Sequence, residues 1–175
     1  MGTEPPGDRP TDAASDTDEA AVERAVRHAL FSYCRGIDRL DGELISAAYH
    51  AGAVDDHGDA FRGPVEAYVP WVLGVLRDRF SATMHSLSNI RVERDGDVAR
   101  VESHVLASHV VATTGALRVL GARYVDRFEH RPGAGWRIAH RQLVPEWQFE
   151  CSGSVTVLPP GCAPSARDRS DPSYV

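Results

Sequence analysis

The sequence predicts an α+β domain in which N-terminal helices pack inside a curved antiparallel sheet. Two observations carry this. Val22, Val26, Leu30, Tyr33 and Ile37 follow one another at steps of four, four, three and four, one apolar stripe on a helix. From His85 onward the apolar period falls to two, and three turn signals divide that stretch into a meander. Helices followed by hairpin-linked strands form an α+β pattern.

The elements follow in order. Residues 1–17 are acidic, small and turn-rich, and are expected to be disordered. The first helix opens near Asp16 or Thr17, and Asp38 falls at its frayed end. A second, short helix covers about Gly42 to His50, and Ala51 to Gly63 reads as strand and turn. A third helix runs from Pro64 to Phe80 with Tyr68, Val72 and Val75 facing inward; Pro70 predicts a kink or break near Val69. Strands are expected at about His85–Arg94, Val98–Thr113, Leu117–His130 and Trp136–Trp147, separated by Asp95-Gly96-Asp97, Thr114-Gly115 and the run from Arg131 to Gly135. One domain thus spans residues 18–150, and residues 151–175 form a Pro- and Ser-rich tail able to serve as a lid.

Composition restricts the function. With a formal charge of -6 and no lysine, the chain lacks the clustered basic surface that nucleic acid or an anionic membrane requires. No apolar run reaches the roughly 20 residues that span a bilayer. No export signal is read at the N-terminus, so a cytoplasmic location is expected. Cys34, Cys151 and Cys162 are read as reduced thiols, with a Cys151–Cys162 bridge as the other reading.

Alternation along the second strand puts Val101, Ser103, Val105, Ala107, His109 and Val111 on the inner face, and Arg100, Glu102, His104 and Leu106 on the outer. His104 and His109 therefore point apart and cannot share a metal. No His or Cys spacing suits a metal site, and no phosphate loop, dinucleotide fingerprint or nucleophile elbow is present. The expected cofactor is none. Acid–base work by His, Asp and Tyr remains.

The runs F-S-Y-C-R-G-I-D (Phe31 to Asp38), D-D-H-G (Asp55 to Gly58), F-R-G (Phe61 to Gly63), T-M-H-S-L-S-N (Thr83 to Asn89), R-Y-V-D-R-F-E (Arg123 to Glu129) and W-R-I-A-H-R (Trp136 to Arg141) resemble the SnoaL-like, scytalone dehydratase-like branch of the nuclear transport factor 2 superfamily. The resemblance implies a cone-shaped α+β fold. It also implies that Asp38 orients His85, and that His85 removes a proton in an elimination, as in scytalone dehydratase, bile acid 7α-dehydratase and hexachlorocyclohexane dehydrochlorinase. By the same resemblance Tyr33 matches a catalytic tyrosine. His57, His109 and Arg141 match pocket positions, and Tyr124 an inward strand position.

Each residue also has a plainer reading. Tyr33 and Tyr124 suit an apolar core, and Trp71 either walls the pocket or fills the core. Arg141 or Arg137 can pair with Asp126 or Glu129 across the sheet. Asp38 at a helix C-terminus opposes the dipole and calls for a local partner, Arg39 or His85. The expected pocket gathers Tyr33, Asp38, His57, His85 and His109, with Ser103 on the same inner face. The leading expectation is a cofactor-free dehydratase acting on a polycyclic, steroid-like or polyketide-derived small molecule. The alternatives are a cyclase or double-bond isomerase, and a non-catalytic binding or association module. The resemblance further implies a homo-oligomer joined through the outer sheet face, a trimer ahead of a dimer.

Overall fold

The computed structural model describes residues 13–153 and 161–174, with side chains from residue 18; the expected disorder of the first residues lies mostly outside that range. Helix α1 spans Ala13–Arg39, α2 Gly42–Ala47 and α3 Val65–Arg79. The strands are β1 Tyr49–Asp56, β2 Arg62–Pro64, β3 Phe80–Asp95, β4 Val98–Val111, β5 Leu117–Arg131 and β6 Gly135–Cys151. They form one unclosed six-stranded sheet in the order β2-β1-β6-β5-β4-β3. All neighbours are antiparallel except β1 and β6, which run parallel.

The α1 stripe is the heart of the core: Val22, Val26, Leu30, Tyr33 and Ile37 are each 2% exposed or less. The helix starts earlier than the sequence suggested, because Ala13 to Asp16 contain nothing that stops a helix. Its C-terminus is a Schellman closure. The Asp41 N–H donates to the Gly36 carbonyl (2.8 Å) and the Leu40 N–H to the Ile37 carbonyl (3.4 Å), with Leu40 left-handed at φ 54°. Asp38 is therefore inside the last turn rather than frayed. Asp41 immediately N-caps α2, accepting from the Glu43 and Leu44 N–H groups at 3.0 and 3.2 Å.

This tight joint needs Gly36. A Cβ there would lie 2.8 Å from both the Ile45 nitrogen and Ile45 Cγ1, and 2.9 Å from the Asp41 carbonyl oxygen. Two of those neighbours are backbone and cannot swing away. Gly36→Ala is expected to destabilise the fold by about 1–3 kcal/mol despite alanine's better helix propensity, read as a lower urea midpoint.

In α3, Pro64 sits just outside the helix, and Val65, Tyr68, Val72 and Leu76 form the buried stripe, so Leu76 rather than Val75 takes the last inward position. The helix runs through Pro70 without the expected break; one missing N–H removes a single bond from a 15-residue helix.

On β3 a register shift between Ser88 and Arg91, with Asn89 at φ 50°, moves the inward set from Thr83, His85 and Leu87 to Ile90 and Val92. One extra residue flips the side-chain parity, so that both halves of the strand face the core. β3 starts at Phe80, five residues before the expected start, and this places His85 well inside the strand.

The tail segment 161–174 docks on the α1–α2 end. The Tyr174 hydroxyl donates to Asp41 Oδ2 (2.8 Å), Arg169 Nη2 to Glu43 Oε2 (2.6 Å) and Arg35 Nη2 to the Ser173 carbonyl (2.5 Å), while Arg39 pairs with Asp171 at 3.3 Å. Cys151 and Cys162 are both free and exposed, so no bridge ties the tail.

Candidate functional site

The last turn of α1 and the first half of β3 bring Asp38 and His85 together across 47 residues of sequence. His85 Nδ1 lies 2.7 Å from Asp38 Oδ1, and the His85 backbone N–H donates to Oδ2 at 2.9 Å. One residue thus engages both carboxylate oxygens, which fixes the side chain as well as the charge. Burial alone would raise the Asp38 pKa, but the bonds and charge from His85 outweigh it and hold the carboxyl below its usual range. An ionised Asp38 accepts a hydrogen bond from Nδ1–H, which selects the tautomer whose Nε2 is the free acceptor. Nε2 has no hydrogen-bond partner among the described residues. Of the two partners the sequence allowed Asp38, His85 provides the side-chain contact; Arg39 turns to Asp171.

The dyad borders a cleft of about 360 Å³. Phe31, Cys34 and Asp38 on α1, His85 and Leu87 on β3, and Ser173 from the tail line it, with Arg35 and Arg39 at its side. The cleft is mixed in character, with apolar Phe31 and Leu87 beside the polar dyad.

His109 stands next to the dyad. Its ring meets His85 edge-on at 5.4 Å and packs on Phe80 at 4.6 Å. Burial, with a smaller push from the charge of His85, lowers its pKa from 6.5 to about 4. The unfolded chain binds this proton near pH 6.5 and the folded chain only near pH 4, so His109 contributes stability above pH 6.5 that is lost as pH falls to 4. The loss is expected to approach about 3 kcal/mol in urea unfolding across that window, and His109→Gln is expected to flatten it.

The remaining expected site residues divide into two other groups. Arg141, 0% exposed, donates from Nε and Nη2 to Asp126 Oδ1 and Oδ2 at 2.8 and 2.7 Å. Its guanidinium lies 4.2 Å from the Tyr33 ring centre and 4.0 Å from that of Tyr124. Tyr33 Oη is 2.6 Å from Tyr68 Oη. Arg141, Tyr33 and Tyr124 therefore form a packed interior layer, with Ser103 buried nearby in β4, and none of them lines the cleft. This corrects the single open chamber expected from the sequence. A buried Arg–Asp pair wedged between aromatic rings occupies the volume that a ligand would need.

The third group centres on His57. Its Nδ1 is 2.5 Å from Asp55 Oδ1, its ring stacks on Tyr68 at 5.3 Å, and the Tyr49 hydroxyl donates to Asp55 Oδ2 at 2.6 Å. Trp71 packs on Phe61 at 5.0 Å and on Tyr68 at 5.9 Å. Sequence reasoning singled out His57 but not Asp55. His57 lies just past the end of β1, in the turn before Gly58, so strand alternation gave no signal for the pair. Among the described residues no cluster of three His, Cys, Asp or Glu side chains is arranged around a metal position, and no helix is long and apolar enough to cross a membrane.

Residues 18–142 match the model of the SnoaL-like domain family. Solved structures with a similar fold include a candidate scytalone dehydratase from Novosphingobium aromaticivorans, at 24% identity and a TM-score of 0.69, over 86% of this chain and 99% of that one. A type 3 hexachlorocyclohexane dehydrochlorinase from Novosphingobium barchaimii matches at 19% identity and 0.74, over 82% and 99%. A nuclear transport factor 2-like superfamily protein from Salmonella enterica matches at 16% and 0.66, over 83% and 99%. These likenesses establish the α+β cone. No curated protein matches the chain.

Proposed function

The chain belongs to the SnoaL-like domain family, and from that premise we propose that it is a cofactor-independent lyase, a dehydratase of polycyclic, steroid-like or polyketide-derived small molecules. The observation that carries this reading is the Asp38–His85 bond beside an open cleft. His85 Nε2 removes a proton from a carbon next to a carbonyl, and the electron pair left behind forms a carbon–carbon double bond as the β-hydroxyl departs. Asp38 holds the tautomer and stabilises the imidazolium. His109, neutral with a pKa of about 4, is a poor proton donor to the leaving group. The proton taken up by His85 is the one returned to the hydroxyl, so water leaves from the face that lost the proton.

Incubation with a panel of fused-ring β-hydroxy ketones in D2O tests the reading. A product lighter by one water, absent with His85→Ala, is the expected result. Deuterium entry at the α-carbon without loss of water would move the assignment to an isomerase or cyclase. Neither change with any panel member would favour a binding or association module.

We also propose a homo-oligomer built on the outer sheet face, a trimer ahead of a dimer. Register aligns Leu106, Gly121 and Trp147 across β4, β5 and β6. Without a Cβ on Gly121, which would come within 2.3 Å of the indole, Trp147 lies across that strand while staying 53% exposed. Met84 and Phe149 extend the apolar face, which supports burial against another copy. Leu106→Glu with Trp147→Glu is expected to yield a monomer by light scattering where the parent chain is an oligomer. We further propose a cytoplasmic setting, in which Cys34, Cys151 and Cys162 stay reduced.

A further inference from the structure

Arg167 belongs to the tail, yet its guanidinium reaches the junction of α3 and β3, two ring contacts away from His85. Nη1 donates to the Leu76 carbonyl (3.2 Å) and to the Phe80 carbonyl, at the end of α3 and the start of β3. The Phe80 ring packs on His109, and the His109 ring meets His85. Asp38 lies within electrostatic reach of the same guanidinium. The other edge of the group is different: Nε and Nη2 are enclosed and have no hydrogen-bond partner among the described residues. Burial lowers the Arg167 pKa from the ordinary arginine value, so the cation is held at an energetic cost.

An arginine fixed at one end by two carbonyls, with its Nε/Nη2 edge unpartnered, has two parallel N–H donors left to satisfy at a set angle. That edge fits the two oxygens of one carboxylate better than it fits a lone carbonyl or hydroxyl. Arg35 and Arg39 add positive charge around the cleft, although Arg35 is engaged by Ser173 and Tyr174, and Arg39 by Asp171. The geometry points to a substrate that carries a carboxylate, held by the Nε/Nη2 edge of Arg167 beside the Asp38–His85 pair. This assignment rests on the dyad being the reaction centre and adds the charge of what reaches it. It also gives the tail a role in binding: the segment anchored by Arg169, Asp171 and Tyr174 delivers the group that recognises the ligand.

The test uses the full chain with 2-naphthoate and its neutral counterpart 2-naphthamide, with affinities measured by calorimetry. The parent chain is expected to bind the acid at least about tenfold more tightly than the amide. Arg167→Met is expected to abolish that preference, and Arg167→Lys to restore part of it, because charge returns without the paired donors. Arg169→Met loosens the tail but retains Arg167, and is expected to weaken both ligands while keeping their ratio. His85→Ala is expected to keep the preference in full, which separates recognition from proton transfer. No preference in the parent chain up to the solubility limit of the acid, or an unchanged preference in Arg167→Met, would overturn the assignment.

Discussion

His85→Ala is expected to lower the rate of elimination by about 10²–10⁴-fold, measured as single-turnover loss of water on any substrate found in the β-hydroxy ketone panel. Stability should change little by comparison, since the backbone N–H of residue 85 still donates to Asp38 Oδ2. Asp38→Asn is expected to fall in the same range. An amide cannot accept from Nδ1–H through its nitrogen and gives no charge to the imidazolium that forms. The two groups act as one unit, so the double variant should be about as slow as the worse single one. A double variant slower by the product of the two single effects would show that Asp38 and His85 work independently.

The largest effect on stability is expected at Arg141. Arg141→Met leaves Asp126 fully enclosed with no cation opposite it, and a loss of about 3–5 kcal/mol in urea unfolding is expected. Arg141→Met combined with Asp126→Leu removes both charges and should recover most of that loss, because apolar side chains of similar size can replace a buried ion pair. Failure of the double change to recover stability would mean that the packing of Tyr33 and Tyr124 on the guanidinium matters more than neutralisation.

Much of the architecture was legible because it rests on local periodicity. The stripe from Val22 to Ile37 needs no tertiary information, and neither does the alternation in β4 that sends His109 inward and His104 outward. The dyad was singled out by the family resemblance; the place of Asp38 at a helix C-terminus called for a partner but left Arg39 and His85, 47 residues on, both open. For Arg141 the sequence left two acidic partners open. The choice follows from register, since β5 sets Asp126 opposite Arg141 and Glu129 opposite Arg137. The bulge at Ser88–Arg91 escaped notice for a related reason: a one-residue insertion exists only relative to the neighbouring strand. Arg167 left no signal in a tail whose position depends wholly on where Arg35, Arg39 and Asp41 already stand. The single-chamber expectation erred on volume, because counting inward polar groups does not reveal that the Arg141–Asp126 pair fills the space between them.

Cys34 is 5% exposed on the same helical face as Asp38, and burial raises its thiol pKa to about 12. A protonated, shielded sulfur is inert to alkylating reagents. Cys151 and Cys162 stand in the open and will be blocked first. Any slower third modification then records reagent reaching Cys34 through the cleft that it lines, so its rate measures how accessible that cleft is. Protection of that sulfur by a small molecule would therefore report occupancy of the cleft from inside the chain.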